Sequence, residues 1–251
     1  MSNRRGLTRR GRVVVTAVVA LLVAGTGVVM AQTFLGDPDC QVSAGSATVD
    51  LSQAQAEAVT TAVAPRVRRA GLSATAAVRR AAPDLSAGDA IVVAQAVTGQ
   101  RAGSLSCRSG GASGSASLSL DANGLTARAE RVRKDVLAKF GDLPLGGYAP
   151  GGVHSGHMPG SAHYEGRAVD VFFRPINTAN QTRGWALAQY LVANAARLEI
   201  ATVIFDDQIW TSDRGGDGWR HYVVPDPQNA HSAGELAILE HRDHVHYAVP
   251  R

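Results

Sequence analysis

The sequence predicts an α+β fold in which a central antiparallel sheet carries flanking helices. The composition, 45% hydrophobic and 18% charged, is typical of a globular chain and excludes a disordered one. After residue 150, segments 167–173, 201–210 and 244–249 have the pattern of strands, and 182–198 has that of a helix. Residues 121–251 are numerous enough to build one hydrophobic core. A small helical lobe and an N-terminal apolar helix are predicted to precede this part.

Residues 1–35 are predicted to direct the chain out of the cytoplasm. A basic run from Arg4 to Arg12 precedes Val13–Ala31, which contains no charged residue. As a helix this stretch is about 28 Å long, close to the thickness of a bilayer core. The basic flank favours a cytoplasmic N-terminus. The segment is therefore a single-pass anchor in the cell membrane with an extracellular body, or a signal peptide cleaved after Ala31 that releases a secreted body.

The charge distribution excludes nucleic acid as the expected partner. The formal net charge is +4, but five arginines precede the first acidic residue, and without them the charge is −1. A nearly neutral body does not attract a polyanion.

Residues 40–108 are predicted to form the small helical extracellular lobe. A helix is expected from Ser52, its N-cap, to about Gly71, and two more over 73–82 and 86–97, separated by Pro83.

The only two cysteines, Cys40 and Cys107, bracket this lobe. In an exported chain an even cysteine count favours a disulfide bond, with two unrelated buried thiols as the alternative.

A linker of glycine and serine over 109–120 is predicted to separate the lobe from the second domain, 121–251. That domain opens with an amphipathic helix over 125–140, which Gly141 is expected to end. Its apolar stripe consists of Leu125, Ala129, Val132, Val136 and Phe140.

Six of the eight histidines lie in or beside two short stretches of the second domain. His163 and Asp170 lie in the first, and His246 lies in the second, at the C-terminus. Imidazole nitrogens and carboxylates are the ligands of catalytic zinc, and three of them leave one position for water. Gly166 allows a tight turn between His163 and the strand, which brings the imidazole toward Asp170. The sequence therefore predicts a Zn²⁺ site on these three residues.

The pattern Ser161-x-His163-x-x-Gly166-x-Ala168-x-Asp170 is similar to the signature of the D-alanyl-D-alanine carboxypeptidase and L-alanyl-D-glutamate endolysin family. That family belongs to a wider group of zinc peptidases that includes lysostaphin and the hedgehog signalling domain. The ending Asp243-His244-Val245-His246 most resembles that of an extracellular domain found in actinobacteria and some fungi. The resemblance covers residues 121–251.

This resemblance implies Zn²⁺ on His163, Asp170 and His246, and a general base beside the last ligand. The carboxypeptidase pattern implies Asp243 as the base, which we place first. A related murein endopeptidase branch implies His244, which strand alternation also favours, because residues two apart on a strand face the same side.

Ser161 is predicted to contact the metal ligands or the substrate. Trp219 lies in the glycine-rich stretch 214–220 and is predicted to contact the substrate, with a packed aromatic as the alternative.

Two classes of function follow from the resemblance. The first is a zinc metallopeptidase that cleaves stem peptides of peptidoglycan or muropeptides, as a carboxypeptidase or an endopeptidase. The second is a non-catalytic zinc-containing module that binds the cell wall. In both cases we expect a monomer.

Overall fold

The computed structural model describes residues 38–67, 73–108 and 116–251. Within these ranges, the residues before 109 form three strands and three helices. These are β1 (Cys40–Ala44), β2 (Ala47–Leu51), α1 (Gln53–Val67), α2 (Ala74–Ala81), α3 (Ala87–Val97) and β3 (Leu105–Cys107).

The second part contains a longer series of elements. These are α4 (Ala127–Phe140), β4 (Leu145–Gly146), a 3₁₀ helix (Ala162–Glu165), β5 (Ala168–Phe172), α5 (Thr178–Ala193), α6 (Ala195–Leu198), β6 (Thr202–Phe205), β7 (Gln208–Thr211), a 3₁₀ helix (Ser212–Asp217), β8 (Arg220–His221), a 3₁₀ helix (Pro227–Asn229), α7 (Ala233–Leu239) and β9 (His244–Ala248).

The larger sheet has the strand order β4-β5-β9-β6-β7-β8, and all its pairings are antiparallel. The closing strand β9 thus lies between β5 and β6. Along β9, Val245 and Tyr247 point into the hydrophobic core, while His244 and His246 point to the other face. The predicted α+β class with an antiparallel sheet is confirmed.

The helical description of residues 40–108 is incomplete, because β1, β2 and β3 form a three-stranded antiparallel sheet in the order β2-β1-β3. These strands have at most five residues, too few for their alternation to stand out among the small residues around them. Cys40 and Cys107 lie directly opposite each other in this sheet and form the predicted disulfide bond.

The segment 201–210, predicted as one strand, is a hairpin of β6 and β7. Asp206 and Asp207 form its turn with φ of 51° and 56°. Aspartate tolerates this left-handed backbone better than most residues, so a turn fits between two apolar runs.

The two predicted domains pack against each other within one compact unit, Asp39–Arg251. Buried side chains from both parts belong to the same hydrophobic cluster. The fully buried Gln189 on α5 joins them, because its Oε1 accepts hydrogen bonds from Ser104 and Leu105 and its Nε2 donates to Ala96 O at 2.7 Å. The chain therefore continues one core across the predicted boundary, and residues 109–115 of the linker lie outside the described residues.

The predicted helices of the first part are present, with Ser52, Ser73 and Ser86 each accepting a hydrogen bond from a backbone N–H of the first turn. Gly71, predicted to end the first helix, lies outside the described residues. The predicted stripe of α4 is buried, and Gly141 caps that helix.

Across the described ranges, no helix is long and apolar enough to span a membrane. The predicted anchor or signal segment, Val13–Ala31, lies outside those ranges.

Candidate functional site

A cleft of about 610 Å³ lies over the outer face of the larger sheet, where β5 and β9 meet. All three predicted metal ligands line it. Other lining residues come from the loop before the first 3₁₀ helix and from α7 and its C-terminal turn.

His163 reaches the cleft because the preceding loop ends in a short, capped turn. Ser161 caps the 3₁₀ helix that contains His163, accepting a hydrogen bond from His163 N at 3.4 Å. Gly166 ends this helix at φ +61°, where a Cβ would lie only 2.5 Å from Gly124 O. The turn therefore requires glycine and leads directly into β5, as the sequence predicts.

Asp170 and His246 meet because they are direct cross-strand partners on β5 and β9. Asp170 Oδ1 lies 3.1 Å from His246 Nδ1 and 3.2 Å from His163 Nε2, and the two nitrogens are 3.0 Å apart. The three residues are 9% exposed or less. The structure thus brings the three predicted ligands together as a nearly equilateral triangle of nitrogen and oxygen atoms, here named the ligand triangle.

Gly147, which no motif of the sequence marked as a site residue, fixes the orientation of His163. The Nδ1–H of His163 donates to Gly147 O at 2.7 Å, which leaves the lone pair of Nε2 directed at the triangle. Gly147 has φ +77°, and a Cβ there would lie 2.3 Å from the His163 ring. Only glycine therefore fits beside the imidazole.

His244 lies beside the triangle, and Asp243 lies behind His244. The Nδ1–H of His244 donates to Asp243 Oδ1 at 2.6 Å, and its Nε2 is 3.8 Å from Asp170 Oδ1. The other oxygen of Asp243 accepts from Arg174 Nε at 2.6 Å. His244 and Arg174 line the cleft, whereas Asp243 is buried outside its lining.

The carboxylates of this site remain ionised although they are buried. Burial would raise the pKa of Asp170, but the neighbouring side chains of His163 and His246 outweigh burial and hold that pKa well below its ordinary value. Burial likewise opposes ionisation of Asp243, and hydrogen bonds from His244 and then Arg174 lower its pKa.

Two further histidines in the cleft were not predicted as site residues. The His157 ring stacks on that of His163 with centroids 3.9 Å apart, and its backbone N–H donates to the Tyr164 hydroxyl. His241 lies 4.6 Å from His244 between ring centroids. Burial, and then repulsion from His246 and His244, lowers the pKa of His241 to about 3, so this ring is neutral. Histidine content near the two motifs was the only sequence signal for either.

A metal ion has two overlapping sets of ligands available in this cleft. His157, His163 and Asp170 offer ligand atoms within 4.8 Å of one another. The ligand triangle is tighter, since its edges are 3.0–3.2 Å. Three atoms that present lone pairs at such distances need a positive centre between them, either a proton on His246 Nδ1 or a metal ion. The site is therefore able to bind a metal.

One tryptophan named above, Trp219, and two exposed histidines lie apart from the cleft lining. Trp219 donates from Nε1 to Leu105 O at 2.8 Å and packs edge-on against Trp185, which is the packing that the sequence analysis gave as the alternative; its contact with substrate stays a prediction. His154 and His221 are exposed and do not line the cleft.

The comparisons with known proteins cover part of this site. The family model described as "VldE, C-terminal domain" matches residues 121–233, less than half of the chain. The match includes His163 and Asp170 and ends before His246. No curated protein and no solved structure gives a significant match to the chain.

Proposed function

We propose that this protein is an exported zinc-dependent peptidase that hydrolyses peptide bonds in the stem peptides of peptidoglycan. The ligand triangle at the base of an open cleft carries this proposal. The resemblance to the carboxypeptidase and endolysin family, on the first motif and on the Asp243-His244-Val245-His246 ending, supports the substrate class.

The triangle fits a zinc ion. Ligand atoms at about 2.0–2.2 Å from a tetrahedral zinc ion lie roughly 3.3–3.5 Å apart, close to the three observed edges. His163 also donates its second ring N–H to a backbone carbonyl, as histidine ligands of metals usually do. Zinc bound there would polarise the scissile carbonyl and lower the pKa of an attacking water to about 7.

His244 is the general base that the geometry favours. Its Nδ1–H is held by Asp243, so the lone pair of Nε2 faces the cleft and accepts a proton from a nucleophile above the triangle. Asp243 has both oxygens engaged, by His244 and Arg174, and it positions the imidazole. We therefore assign the base to His244, the alternative of the sequence analysis, and a positioning role to Asp243.

A non-catalytic zinc module that binds the cell wall is the second candidate, and His157 favours it. This side chain stacks on His163 and offers a nitrogen within 4.8 Å of ligand atoms of both His163 and Asp170. If His157 fills the fourth position on the metal, no position remains for water.

Hydrolysis assays on full-length protein separate the two candidates. Zinc-loaded protein incubated with purified peptidoglycan should release new amino groups, and chelator should abolish the release until zinc is restored. Mass analysis of the muropeptides then identifies the bond. Zinc-loaded protein that releases nothing supports the binding module, and in that case His157→Ala tests whether opening the fourth position restores turnover.

Metal analysis tests the site independently of activity. His246→Ala should abolish stoichiometric zinc, whereas His221→Ala, a change of an exposed histidine outside the cleft lining, should retain it. Retention of zinc by His246→Ala would refute the assignment of the triangle.

A further inference from the structure

A second, smaller cavity adjoins the cleft, and two arginines line it. In the proposed chemistry Arg174 only contacts Asp243, and Arg183 has no role. Its volume is about 250 Å³. It is lined by Pro144, Phe172, Phe173, Arg174, Asn180 and Arg183. Phe172 and Arg174 also line the larger cleft, so the two spaces share a wall. Because sites for whole small molecules usually measure about 300–1,000 Å³, this cavity suits one end of a ligand that continues into the cleft.

The two guanidinium groups of this cavity retain unused donors. Arg183 contacts Asn180 Oδ1 at 3.4 Å and the face of Phe173, and it forms no ion pair with any residue that the structure describes. Arg174 uses Nε for Asp243, and its Cζ lies 4.2 Å from the Phe172 ring centroid. Its side chain is 55% exposed, and none of the described residues accepts a hydrogen bond from its terminal nitrogens.

The shape and charge of the cavity match a carboxylate. A planar guanidinium group offers paired N–H donors that match a carboxylate, and none of the described residues that line this space is acidic. Phe172, Phe173 and Pro144 supply the apolar walls of this space. Because Asp243 already neutralises part of the charge of Arg174, the cavity favours a singly charged group over a phosphate dianion.

We propose that this arginine cavity binds a carboxylate of a peptide ligand, whose chain passes over Phe172 into the cleft. Phe172 is the cross-strand partner of His244, and the two rings are 5.6 Å apart, so a peptide held at the cavity passes directly beside the proposed base. The peptide nature of the ligand rests on the proposed function, but the binding requires neither zinc nor hydrolysis.

The proposal is tested by measuring how tightly three peptides bind to chelator-treated full-length protein. NMR titration measures each affinity. The peptides are N-acetyl-trialanine with a free C-terminal carboxylate, the same peptide as its C-terminal amide, and N-acetyl-Ala-Glu-Ala amide. The free acid should bind about tenfold more tightly than the plain amide, since hydrogen bonds to charged groups contribute more than neutral ones. If the glutamate peptide binds more tightly than the free acid, the cavity still binds a carboxylate, but its ligand is a side-chain carboxylate.

Arg183→Gln should remove most of the preference for the carboxylate, and Arg183→Lys should retain part of it. Arg79→Gln removes one charge from an exposed arginine of α2, which does not line the cavity, and should leave the preference unchanged. Equal binding of acid and amide by the wild type, or an equal effect of Arg183→Gln and Arg79→Gln, would overturn the proposal. No bond is cleaved in this binding assay, so a negative result refutes only the proposal that the arginine cavity binds a carboxylate. Zinc-loaded protein that does not hydrolyse peptidoglycan refutes only the proposed peptidase activity.

Discussion

Replacing Gly147 by alanine is expected to displace His163 from the ligand triangle. A Cβ at this position would lie 2.3 Å from His163 Cε1, 2.5 Å from His163 Nδ1 and 2.9 Å from Asp170 Oδ2. Real Cβ atoms essentially never approach a heavy atom within 3.0 Å. The imidazole must therefore shift by roughly 1 Å, in an interior too densely packed to absorb the movement.

The displacement of the His163 imidazole lowers the affinity for zinc, and the substitution also destabilises the fold. The displacement disrupts the hydrogen bond from His163 Nδ1 to Gly147 O, and loss of such an orienting contact alone lowers metal affinity by about 10–100-fold. Because the ligand atom itself also moves, we expect zinc affinity to fall by at least ~100-fold. The left-handed backbone, at φ +77°, adds about 1–2 kcal/mol of destabilisation for a residue with a Cβ.

Gly151→Ala is the matched control, since Gly151 has φ +81° and no heavy atom lies within 4 Å of its ideal Cβ. This variant has the same backbone strain without the clash, so it should lose about 1–2 kcal/mol of stability and keep its zinc affinity. Competition titration with a chromophoric chelator measures the affinity, and thermal unfolding of metal-free protein measures the strain. If Gly147→Ala binds zinc as tightly as Gly151→Ala, then Gly147 does not position His163 and the ligand assignment fails.

Three further outcomes are expected from other parts of the molecule. His244→Gln should retain zinc and lose about 10²–10⁴-fold in hydrolysis rate. Asp243→Asn leaves the imidazole in place and should lose less. If Asp243→Asn loses more than His244→Gln, Asp243 is the general base. Gln189→Leu should lower the free energy of unfolding, measured in urea, by about 2–5 kcal/mol, because it leaves the buried Leu105 N–H and Ala96 carbonyl without partners. The control Gln100→Leu, at an exposed site, should change that free energy by less than about 0.5 kcal/mol. Cys107→Ser should destabilise the protein by about 4 kcal/mol on the chain-entropy model, given the separation of 67 residues, and unreduced wild-type digests should contain one linked peptide pair.

Two members of the ligand triangle, His163 and Asp170, were predictable from the sequence because their information is local, whereas His246 was added to them by the histidine-rich C-terminal stretch and the resemblance to a peptidase family. His163 and Asp170 are joined by a capped turn whose serine and glycine have recognisable roles, and His246 lies on a strand with a clear alternation. Gly147 and Arg174 were not predictable as site residues, since each acts through a contact with a residue that is distant in the chain. Their positions depend on which strands pair, and one sequence does not specify that pairing.

The same limit explains the errors in the fold. The strands β1, β2 and β3 are too short to give a periodic signal, and the turn at Asp206 and Asp207 has no glycine to mark it. The composition of 109–120 predicted a linker between two domains, and it gave no indication that the described parts on either side share one core. Gln189 and the shared hydrophobic cluster join them, and buried contacts of this kind leave no trace in composition.

The core of the protein also determines the geometry of the site. Val245 and Tyr247 are fully buried and alternate along β9 with His244 and His246, and their burial fixes the register of this strand. A slip of one residue would bury the histidines in the core and expose two large hydrophobic side chains to the cleft. That slip would cost about 1.5–3 kcal/mol for each large apolar side chain left exposed. His246 therefore stays opposite Asp170 whether or not a metal is bound. The ligand triangle is therefore preorganised by the opposite face of the same strand, which lowers the ordering cost of binding a metal there.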